Sequence, residues 1–251
     1  MKKLPAIIIT LLLTGSILAA CSPAATPLTV KVVTDASFPP FEDVDLNNRQ
    51  IIGFDIELMK AVAVKANLEV TFENLGYDKL LTAMGSCQYD AAISAIPITD
   101  ELKQKMLFSD PYYTVGQVVV VKTGNSAVSS KEQLAGLVVG AQKNTSSAAE
   151  VAKIAGATLK LYASVDLAYK DLIYGVIDAV VSDKPMALSY ANTQANNLKI
   201  VGDEFAAENF GVAICSQKPD LLKRINDALA GAKNDGTINR LAQKWITSAT
   251  Q

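Results

Sequence analysis

Two aspartates stand where apolar segments of the sequence end, and they are the residues best suited to chemistry. Asp35 follows the valine-rich segment 28–34, and Asp183 follows the apolar segment 179–181. A carboxylate at the end of a strand accepts charge-assisted hydrogen bonds, which are about twice as strong as neutral ones. Both positions also suit a local role, because aspartate stabilises turns and begins helices. The sequence therefore predicts two acceptors for a polar or cationic group, with a turn or cap role as the alternative.

The segment Asn144-Thr145-Ser146-Ser147 opens a helix predicted from about Ser147. The first N–H groups of a helix lack partners within the helix, and the helix dipole places partial positive charge there. Such an end binds anions. Asn144 tolerates a positive φ angle and so suits the turn before the helix. This segment is therefore a candidate anion site.

The composition excludes several kinds of chemistry. Histidine is absent, which excludes histidine-based acid–base catalysis and histidine-ligated metal sites. The three cysteines show no CxxC spacing, so a zinc or redox site is not expected. The net charge of −2 becomes −4 when Lys2 and Lys3 are removed with the leader, and no basic run favours nucleic acid. We expect no metal, no cofactor and no nucleic-acid partner.

Residues 1–20 have the pattern of an export signal. A positive start precedes an apolar stretch over 4–19, which closes on Leu18-Ala19-Ala20-Cys21. This ending resembles the lipobox of bacterial lipoproteins, which implies a diacylglycerol on Cys21; the alternative is an ordinary secretory signal with a chance cysteine. Residues 21–27 are predicted to be a flexible tether. No later stretch reaches the roughly 20 apolar residues of a membrane-spanning helix, so we expect an extracytoplasmic protein anchored to the cell membrane.

Beyond the tether, predicted strands alternate with predicted helices. Phe54, Leu58 and Val62 recur at i, i+4 and i+8, as in an amphipathic helix. Predicted strands cover 28–34, 68–75, 90–96, 116–121, 137–141, 158–162, 179–181 and 210–214. Predicted helices cover 53–65, 78–84, 147–155, 165–174, 184–195, 219–233 and 237–246. The alternation predicts an α/β fold of two lobes, each with a mostly parallel sheet flanked by helices, and a binding site between the lobes.

Four groups of segments, in series along the chain, resemble one protein family. They are Val33-Thr34-Asp35-Ala36-Ser37-Phe38-Pro39-Pro40-Phe41 with Gly53-Phe54-Asp55-Ile56-Glu57-Leu58; Tyr89-Asp90-Ala91-Ala92-Ile93 with Ile98-Thr99-Asp100-Glu101 and Phe108-Ser109-Asp110-Pro111-Tyr112-Tyr113; Ile177-Asp178-Ala179-Val180-Val181-Ser182-Asp183; and Asp235-Gly236-Thr237 before Trp245. With them the chain resembles, over 28–247, the extracellular solute-binding proteins of polar amino-acid ABC transporters, family 3 type.

The resemblance implies a periplasmic-binding-protein fold of type II with two hinge crossovers, near 110–116 and 204–210. The first lobe would comprise 28–111 and 209–251, and the second 112–208. Such a protein is a monomer, is not an enzyme, and captures a small polar solute, most simply an amino acid, by hinge closure. An ABC permease in the membrane would recognise the closed form.

The resemblance also assigns a ligand site. The expected positions are Asp35, Phe38, Tyr77, Ala95, Pro97, Leu102, Gln142, Ser146 and Asp183. Phe38 and Tyr77 would sandwich the ligand, although both also suit core packing. Asp35 would face a polar or amino group, Asp183 the ligand's ammonium group, and Ser146 its carboxylate, with Gln142 as a polar neighbour.

Leu102 is a departure from the family pattern, because relatives usually carry an arginine there that binds the ligand's α-carboxylate. Pro97 likewise falls where a ligand-binding hydroxyl is common. Three alternatives follow. Lys103 or Lys105 reaches the carboxylate; the helix end near Ser146 holds it alone; or the ligand is a cationic amine without an α-carboxylate.

The resemblance leaves two other functions possible, and it leaves open whether two of the cysteines form a disulfide. Some proteins of this fold are secreted dehydratases, for which Glu42 would be a candidate general acid. A second rival is a signalling receptor of the same fold. In the family fold, Cys87 and Cys215 would lie at one sheet edge, either as a disulfide or as two buried free thiols.

Overall fold

The structure is a computed structural model that describes residues 26–247. The predicted signal peptide, Cys21 with its lipid, and most of the predicted tether lie outside these residues. The strands are β1 (Leu28–Thr34), β2 (Asp43–Val44), β3 (Ile51–Ile52), β4 (Leu68–Asn74), β5 (Ala91–Ala92), β6 (Leu107–Phe108), β7 (Tyr113–Lys122), β8 (Val138–Gln142), β9 (Thr158–Tyr162), β10 (Ala179–Asp183), β11 (Leu198–Phe210) and β12 (Ala213–Ile214). The helices are α1 (Phe54–Ala66), α2 (Tyr77–Gly85), α3 (Asp100–Lys103), α4 (Ser146–Ala152), α5 (Val165–Tyr174), α6 (Lys184–Thr193), α7 (Pro219–Asn234) and α8 (Thr237–Ala242). In this described part, no helix is long and apolar enough to span a bilayer.

The first sheet has the strand order β4-β1-β5-β12-β6. β1 pairs in parallel with β4 and β5, whereas β12 runs antiparallel to β5 and β6, so four strands share one direction. Alternate residues of β1 pack on opposite faces. Val30 and Val32 join the core with α1 and α7, and Val33 joins the core with α2. This two-sided packing fixes the end of β1, where Asp35 follows.

The second sheet repeats that arrangement with the order β11-β7-β10-β8-β9. β8, β9 and β10 are parallel, and β7 runs antiparallel to β10 and β11. Val118 and Val120 pack with α5 and α6, whereas Val119 and Val121 pack with α4. Burial on both faces explains the unbroken apolar run in β7.

We call the first sheet with α1, α2, α3, α7 and α8 the first lobe, and the second sheet with α4, α5 and α6 the second lobe. The chain passes between the lobes at the start of β7 and at the end of β11, where Tyr113 pairs with Phe210 and Thr114 with Asn209. The Ile98 N–H donates to the Asn209 carbonyl at 2.9 Å, which ties this paired passage to the first lobe.

Most predicted elements are present with ends shifted by a few residues, but the strand predicted over 90–96 is wrong beyond Ala92. The chain leaves the sheet there because Ala95 adopts a φ of 45° and donates its N–H to Asp55 Oδ2 at 2.8 Å. The helix predicted over 147–155 ends at Ala152.

The strand β11 was not predicted over most of its length, and the strand predicted over 210–214 contains only its last residue and β12. Around Gly202, Asp203 and Glu204 the segment lacks an apolar pattern. It lies at an edge of the sheet, with irregular register between Val201 and Glu208. An edge strand with such irregularities needs few apolar side chains, so its sequence carries little strand signal.

Cys87 and Cys215 form a disulfide with a Cα–Cα distance of 5.0 Å. Cys87 follows α2, and Cys215 follows β12. The bond therefore joins the part of the first lobe that precedes the second lobe in sequence to the part that follows it.

Candidate ligand-binding site

A cleft between the two lobes contains about 340 Å³ of empty space, which includes space open to solvent. Its lining residues are Asp35, Phe38, Glu42, Tyr77, Ser94, Ala95, Pro97, Gln142, Thr145, Ser146, Ser147, Asp183 and Glu208. All the predicted positions except Leu102 are among them. Four of these residues are acidic, and none is lysine or arginine. In the described part of the chain, no cluster of three or more metal-ligating side chains occurs.

Asp35 lies on the first-lobe side of the cleft, where β1 ends. Its Oδ1 accepts a hydrogen bond from Ser37 Oγ at 2.8 Å, and its Oδ2 accepts one from the Tyr77 N–H at 3.1 Å. Since Tyr77 is the first residue of α2, Asp35 also stabilises the start of that helix. Burial raises the pKa of Asp35, and these hydrogen bonds counteract the rise. The carboxylate is thus held in place by local contacts while it faces the cleft.

Glu42 and Asp55, which we call the first-lobe pair, lie behind Asp35. Ser94 Oγ accepts the Asp35 N–H at 2.9 Å and donates to Glu42 Oε1 at 2.9 Å. Asp55 Oδ2 accepts hydrogen bonds from the Ala95 N–H and the Tyr112 hydroxyl, each at 2.8 Å. Within the described residues, no N–H or O–H group donates to Glu42 Oε2 or Asp55 Oδ1; the two carboxyl groups are close enough to hydrogen-bond each other once one of them is protonated.

Burial and mutual repulsion change the proton affinity of this pair. Burial raises the pKa of Asp55 to about 6, although its hydrogen bonds lower it. Burial, followed by the charge of Asp55, raises the pKa of Glu42 well above its usual range. Two fully buried carboxyl groups in contact cannot both ionise at low cost. We therefore assign a proton to Glu42. The resulting hydroxyl would donate a hydrogen bond to the Asp55 carboxylate.

Gly53 allows this pair to form, because it begins α1 beside the backbone of Phe41. A Cβ at Gly53 would lie 2.2 Å from the Phe41 carbonyl oxygen, and the φ of 131° is in the region that favours glycine. The Asp55 N–H then donates to the same carbonyl at 2.9 Å. The Gly53-Phe54-Asp55 motif thus brings a carboxylate under the cleft.

Asp183 and Glu208, which we call the second-lobe pair, form the opposite side of the cleft. Gln117 Nε2 donates to Asp183 Oδ1 at 2.5 Å and to Glu208 Oε1 at 2.9 Å. Gln117 Oε1 in turn accepts from Ser147 Oγ at 2.5 Å. One buried amide therefore orients both carboxyl groups. Asp183 is the N-cap residue of α6, as the cap alternative expected, but its side chain makes no cap hydrogen bond to that helix.

The second-lobe pair also holds protons more tightly than free carboxylates do. Burial, followed by the charge of Glu208, raises the pKa of Asp183 well above its usual range. Burial raises the pKa of Glu208, against a hydrogen bond from Ser146 that lowers it. A cation placed between these two carboxyl groups would lower their pKa values, because an opposite charge favours the ionised form.

Three side chains of the second lobe reach the first lobe across the cleft. Gln142 Nε2 lies 3.4 Å from Asp35 Oδ2. Lys143 Nζ and Asn144 Nδ2 contact the two oxygens of Asp78 at 2.9 and 2.6 Å. Asn144 has the predicted positive φ, at 60°. The lobes are therefore in a closed arrangement.

The two predicted aromatic side chains both line the cleft but are supported differently. Tyr77 is buried in the first-lobe core with Leu80 and Met84. Phe38 is half-buried and packs against the cores of both lobes. Phe38 is therefore the aromatic residue whose surroundings change when the lobes move.

Leu102 does not line the cleft, and this corrects its assignment. It is buried against the core that contains Tyr77 and Met106, and it borders a larger neighbouring groove. Lys103 and Lys105 point to solvent and pair with Asp100 and Glu101 at 3.6 and 2.9 Å. Neither lysine enters the cleft in this arrangement.

Several lining residues were not predicted as ligand-binding positions. They are Ser94, Thr145, Ser147 and Glu208, together with Glu42, which was considered only as a catalytic acid. Ser147 and Thr145 flank the predicted Ser146 and could have been included. Glu208 lies in β11, whose pattern gave no strand signal. Its position within the predicted crossover 204–210 was the one available indication.

Comparison with known proteins agrees with this fold. Residues 30–248 match the model of the bacterial extracellular solute-binding proteins, family 3. A probable histidine-binding protein of Neisseria gonorrhoeae is 32% identical over 233 residues, which cover 90% of this chain and 87% of that protein. An ancestral arginine-binding protein bound to arginine superposes with a TM-score of 0.83 at 39% identity, covering 88% of this chain and 99% of that one.

A third relative bears on the enzyme alternative. An ancestral amino acid-binding protein, described as a precursor of cyclohexadienyl dehydratase, superposes with a TM-score of 0.80 at 34% identity and covers 87% of this chain and 95% of that one.

The chain described here belongs to the family 3 extracellular solute-binding proteins, which are the binding components of ABC importers. The two-lobed fold confirms the predicted class.

Proposed function

We propose that this protein is the substrate-binding lipoprotein of an ABC importer and that it captures a small cationic solute, an amino acid or a related amine. The observation that carries the proposal is the charge of the cleft. Its lining has four carboxyl groups and no lysine or arginine. Asp35 and Asp183 lie on opposite lobes, so a cation bound between them makes charge-assisted hydrogen bonds to both lobes.

The aromatic side chains support the same ligand class. Phe38 and Tyr77 line the cleft, and an aromatic face attracts a cation by about 0.5–2 kcal/mol, depending on how well water is excluded. Burial of Asp35 and Asp183 excludes water from their charges. We infer that these four side chains form the ligand's immediate surroundings, with Gln142 and Ser146 as polar neighbours.

We propose that capture proceeds by hinge closure between a first lobe of 28–111 and 209–251 and a second lobe of 112–208. The paired start of β7 and end of β11 would act as the hinge. Contacts that exist only in the closed form, such as those of Lys143 and Asn144 with Asp78, would shift the population toward it when ligand binds. The ABC permease would recognise that form.

We propose that the protein is a monomer held at the outer face of the cell membrane. Residues 1–20 would be removed as a lipoprotein signal peptide, Cys21 would carry the lipid, and 21–27 would be the tether. Cys21→Ser should release the protein from the membrane fraction. Retention of this variant at the membrane would contradict the anchor.

Isothermal titration calorimetry of the purified protein tests the ligand class. The panel would contain lysine, arginine, ornithine and histidine, their decarboxylated amines, and glutamine and glutamate as neutral and acidic controls. We expect binding of at least one cationic compound and none of glutamate, because the cleft repels an added carboxylate. Preference for glutamine or glutamate, or no binding at all, would overturn the proposal.

We propose binding without turnover. Glu42 is fully buried and bonded to Ser94 and Asp55, so its proton is committed to a structural contact and not to a substrate. A bound ligand should be recovered unchanged after prolonged incubation. Conversion of the ligand would support the dehydratase alternative.

A further inference from the structure

We propose that the cleft selects a small dication without a carboxylate, such as a diamine or an amino-guanidine; this proposal rests on the proposed function. Glu208 is the residue that excludes ligands with a carboxylate. The hydrogen-bond donors of the cleft are already paired with acceptors of the protein to a large extent, whereas several acceptors face the cleft.

The part of the cleft near Pro97 offers few donors to a ligand carboxylate. Proline has no backbone N–H, and its side chain has no hydroxyl. Leu102 borders the neighbouring groove and is apolar. Lys103 and Lys105 pair with acidic neighbours at the surface. No cationic side chain therefore lines the cleft to balance a carboxylate.

The serine and threonine hydroxyls that line the cleft are directed at acceptors of the protein. Their bonds are Ser94 Oγ to Glu42 Oε1 at 2.9 Å, Thr145 Oγ1 to the Gln142 carbonyl at 2.7 Å, Ser147 Oγ to Gln117 Oε1 at 2.5 Å, and the Ser146 hydroxyl to Glu208. A ligand carboxylate that took a hydrogen bond from one of these four hydroxyls would have to displace its acceptor. A ligand that only donates hydrogen bonds leaves all four intact.

Glu208, in β11, contacts Ser146 at the start of α4, the residue that the family resemblance assigns to a ligand carboxylate. It accepts the Ser146 hydroxyl, and Gln117 Nε2 holds it at 2.9 Å. An incoming carboxylate at Ser146 would therefore contact a second carboxyl group, and like charges in contact repel strongly where water is excluded. An incoming ammonium or guanidinium would instead gain an acceptor.

The remaining acceptors define two positions for positive charge. One is Asp35 on the first lobe, and the other is the second-lobe pair Asp183 and Glu208. A compound with a cationic group at each end would contact both lobes, with its carbon chain between Phe38 and Tyr77.

Three matched pairs of compounds test the proposal directly. Calorimetry would compare agmatine with arginine, putrescine with ornithine, and cadaverine with lysine. Each pair differs only by one carboxylate. In at least one pair we expect the amine to bind about tenfold more tightly or better, which is the size of one charged hydrogen bond.

The outcomes separate the two proposals. If the amino acid of every binding pair binds as tightly as its amine or more tightly, the selection against carboxylates is overturned while the cationic-solute function stands. If none of the six compounds binds, the proposed function itself fails.

Glu208→Gln tests the selecting residue. Glutamine keeps the size and a hydrogen-bonding oxygen but loses the charge, so the amine-to-amino-acid affinity ratio should fall by about tenfold. Glu204→Gln, on the same strand and paired outward with Lys184 at 2.9 Å, should leave the ratio unchanged. An unchanged ratio in a Glu208→Gln protein with normal thermal unfolding would overturn the role of Glu208; if that variant does not fold, the matched pairs on the unaltered protein still decide.

Discussion

The first-lobe pair, Glu42 and Asp55, and the second-lobe pair, Asp183 and Glu208, both join two carboxyl groups at the cleft. They differ in their partners. Asp55 accepts hydrogen bonds from the Ala95 N–H and the Tyr112 hydroxyl, which belong to the backbone turn and the core of the first lobe. The second-lobe pair is held by Gln117, a single side chain of β7. The first pair therefore supports the fold, whereas the second is available to the ligand.

The two lobes also differ in how the chain builds them and in whether a disulfide joins their parts. The first lobe is assembled from two parts of the chain, joined by the Cys87–Cys215 disulfide across 128 residues. The second lobe comes from one continuous part, with no cysteine between Cys87 and Cys215. We infer that the first lobe is the fixed body of the cleft and that ligand preference is set chiefly on the second.

The largest expected effect is on folding, from Asp55→Ala. The change leaves two buried donors, the Ala95 N–H and the Tyr112 hydroxyl, without their acceptor, at about 1–3 kcal/mol each. The free energy of unfolding should therefore fall by roughly 2–6 kcal/mol in a urea titration. Asp55→Asn keeps an acceptor oxygen and should lose much less. Equal losses in the two variants would contradict a supporting role for this carboxylate.

The next effect concerns the disulfide of the first lobe. A Cys87→Ser/Cys215→Ser variant should lose about 2–4 kcal/mol of unfolding free energy, because the bond restrains a long loop in the unfolded chain. Ligand affinity of the folded protein should stay unchanged, since neither cysteine lines the cleft. A loss of affinity without a loss of stability would break the division between supporting and binding features.

Asp183→Asn tests the other side of that division. Ligand affinity should fall by about 10- to 150-fold, the value of a hydrogen bond to a charged group, while stability stays the same or rises because a buried carboxyl group is removed. Asp203→Asn, at an exposed position of β11, is the matched control. Calorimetry and thermal unfolding of both variants give the two readings.

The pH dependence should separate the pairs further. Burial raises the pKa of Asp55 to about 6 and raises the pKa of Glu42. Between about pH 4 and 6 the folded protein thus binds more protons than the unfolded chain, and its stability falls as the pH rises, by at most about 1.4 kcal/mol per unit for each group. Asp55→Asn should flatten this slope in denaturant titrations.

Ligand affinity should change in the opposite direction, rising with pH in the range where the second-lobe pair loses its proton. A cation favours the ionised form of Asp183 and Glu208, whose pKa values burial raises. Glu208→Gln should weaken this dependence, whereas Asp55→Asn should leave it in place. An Asp55→Asn protein whose ligand affinity has lost its pH dependence would show that the two pairs are not independent.

The sequence alone predicts those residues of the site that follow directly from a local pattern of strands. Asp35 and Asp183 end apolar strands that are buried on both faces, so period and composition located them. Tyr77 and Phe38 required the family resemblance, because aromatic residues beside a strand also suit a core. The sandwich by these two side chains remains a prediction.

Glu208 and Gln117 show what local pattern could not supply. Gln117 is fully buried in β7, and its function depends on Asp183 and Glu208, which are 66 and 91 residues away. Such a contact is set by the pairing of three strands and not by spacing in the sequence. Leu102 was predicted to contact the ligand because relatives carry an arginine at that position. A leucine is shorter and apolar, and the family pattern does not determine where such a side chain packs.

The smallest expected effect concerns the contact between the lobes at Asp78, which holds Lys143 and Asn144 at 2.9 and 2.6 Å. These side chains are partly exposed, and such ion pairs contribute about 0.2–1 kcal/mol. Asp78→Ala should therefore weaken ligand binding by only about 1.4- to fivefold, mainly through faster dissociation from a less stable closed form. Asp227→Ala removes an ion pair with Lys223 within α7 alone and should leave the dissociation rate unchanged. Stopped-flow measurement of ligand release would distinguish the two variants, and equal rates would mean that closure does not depend on this contact.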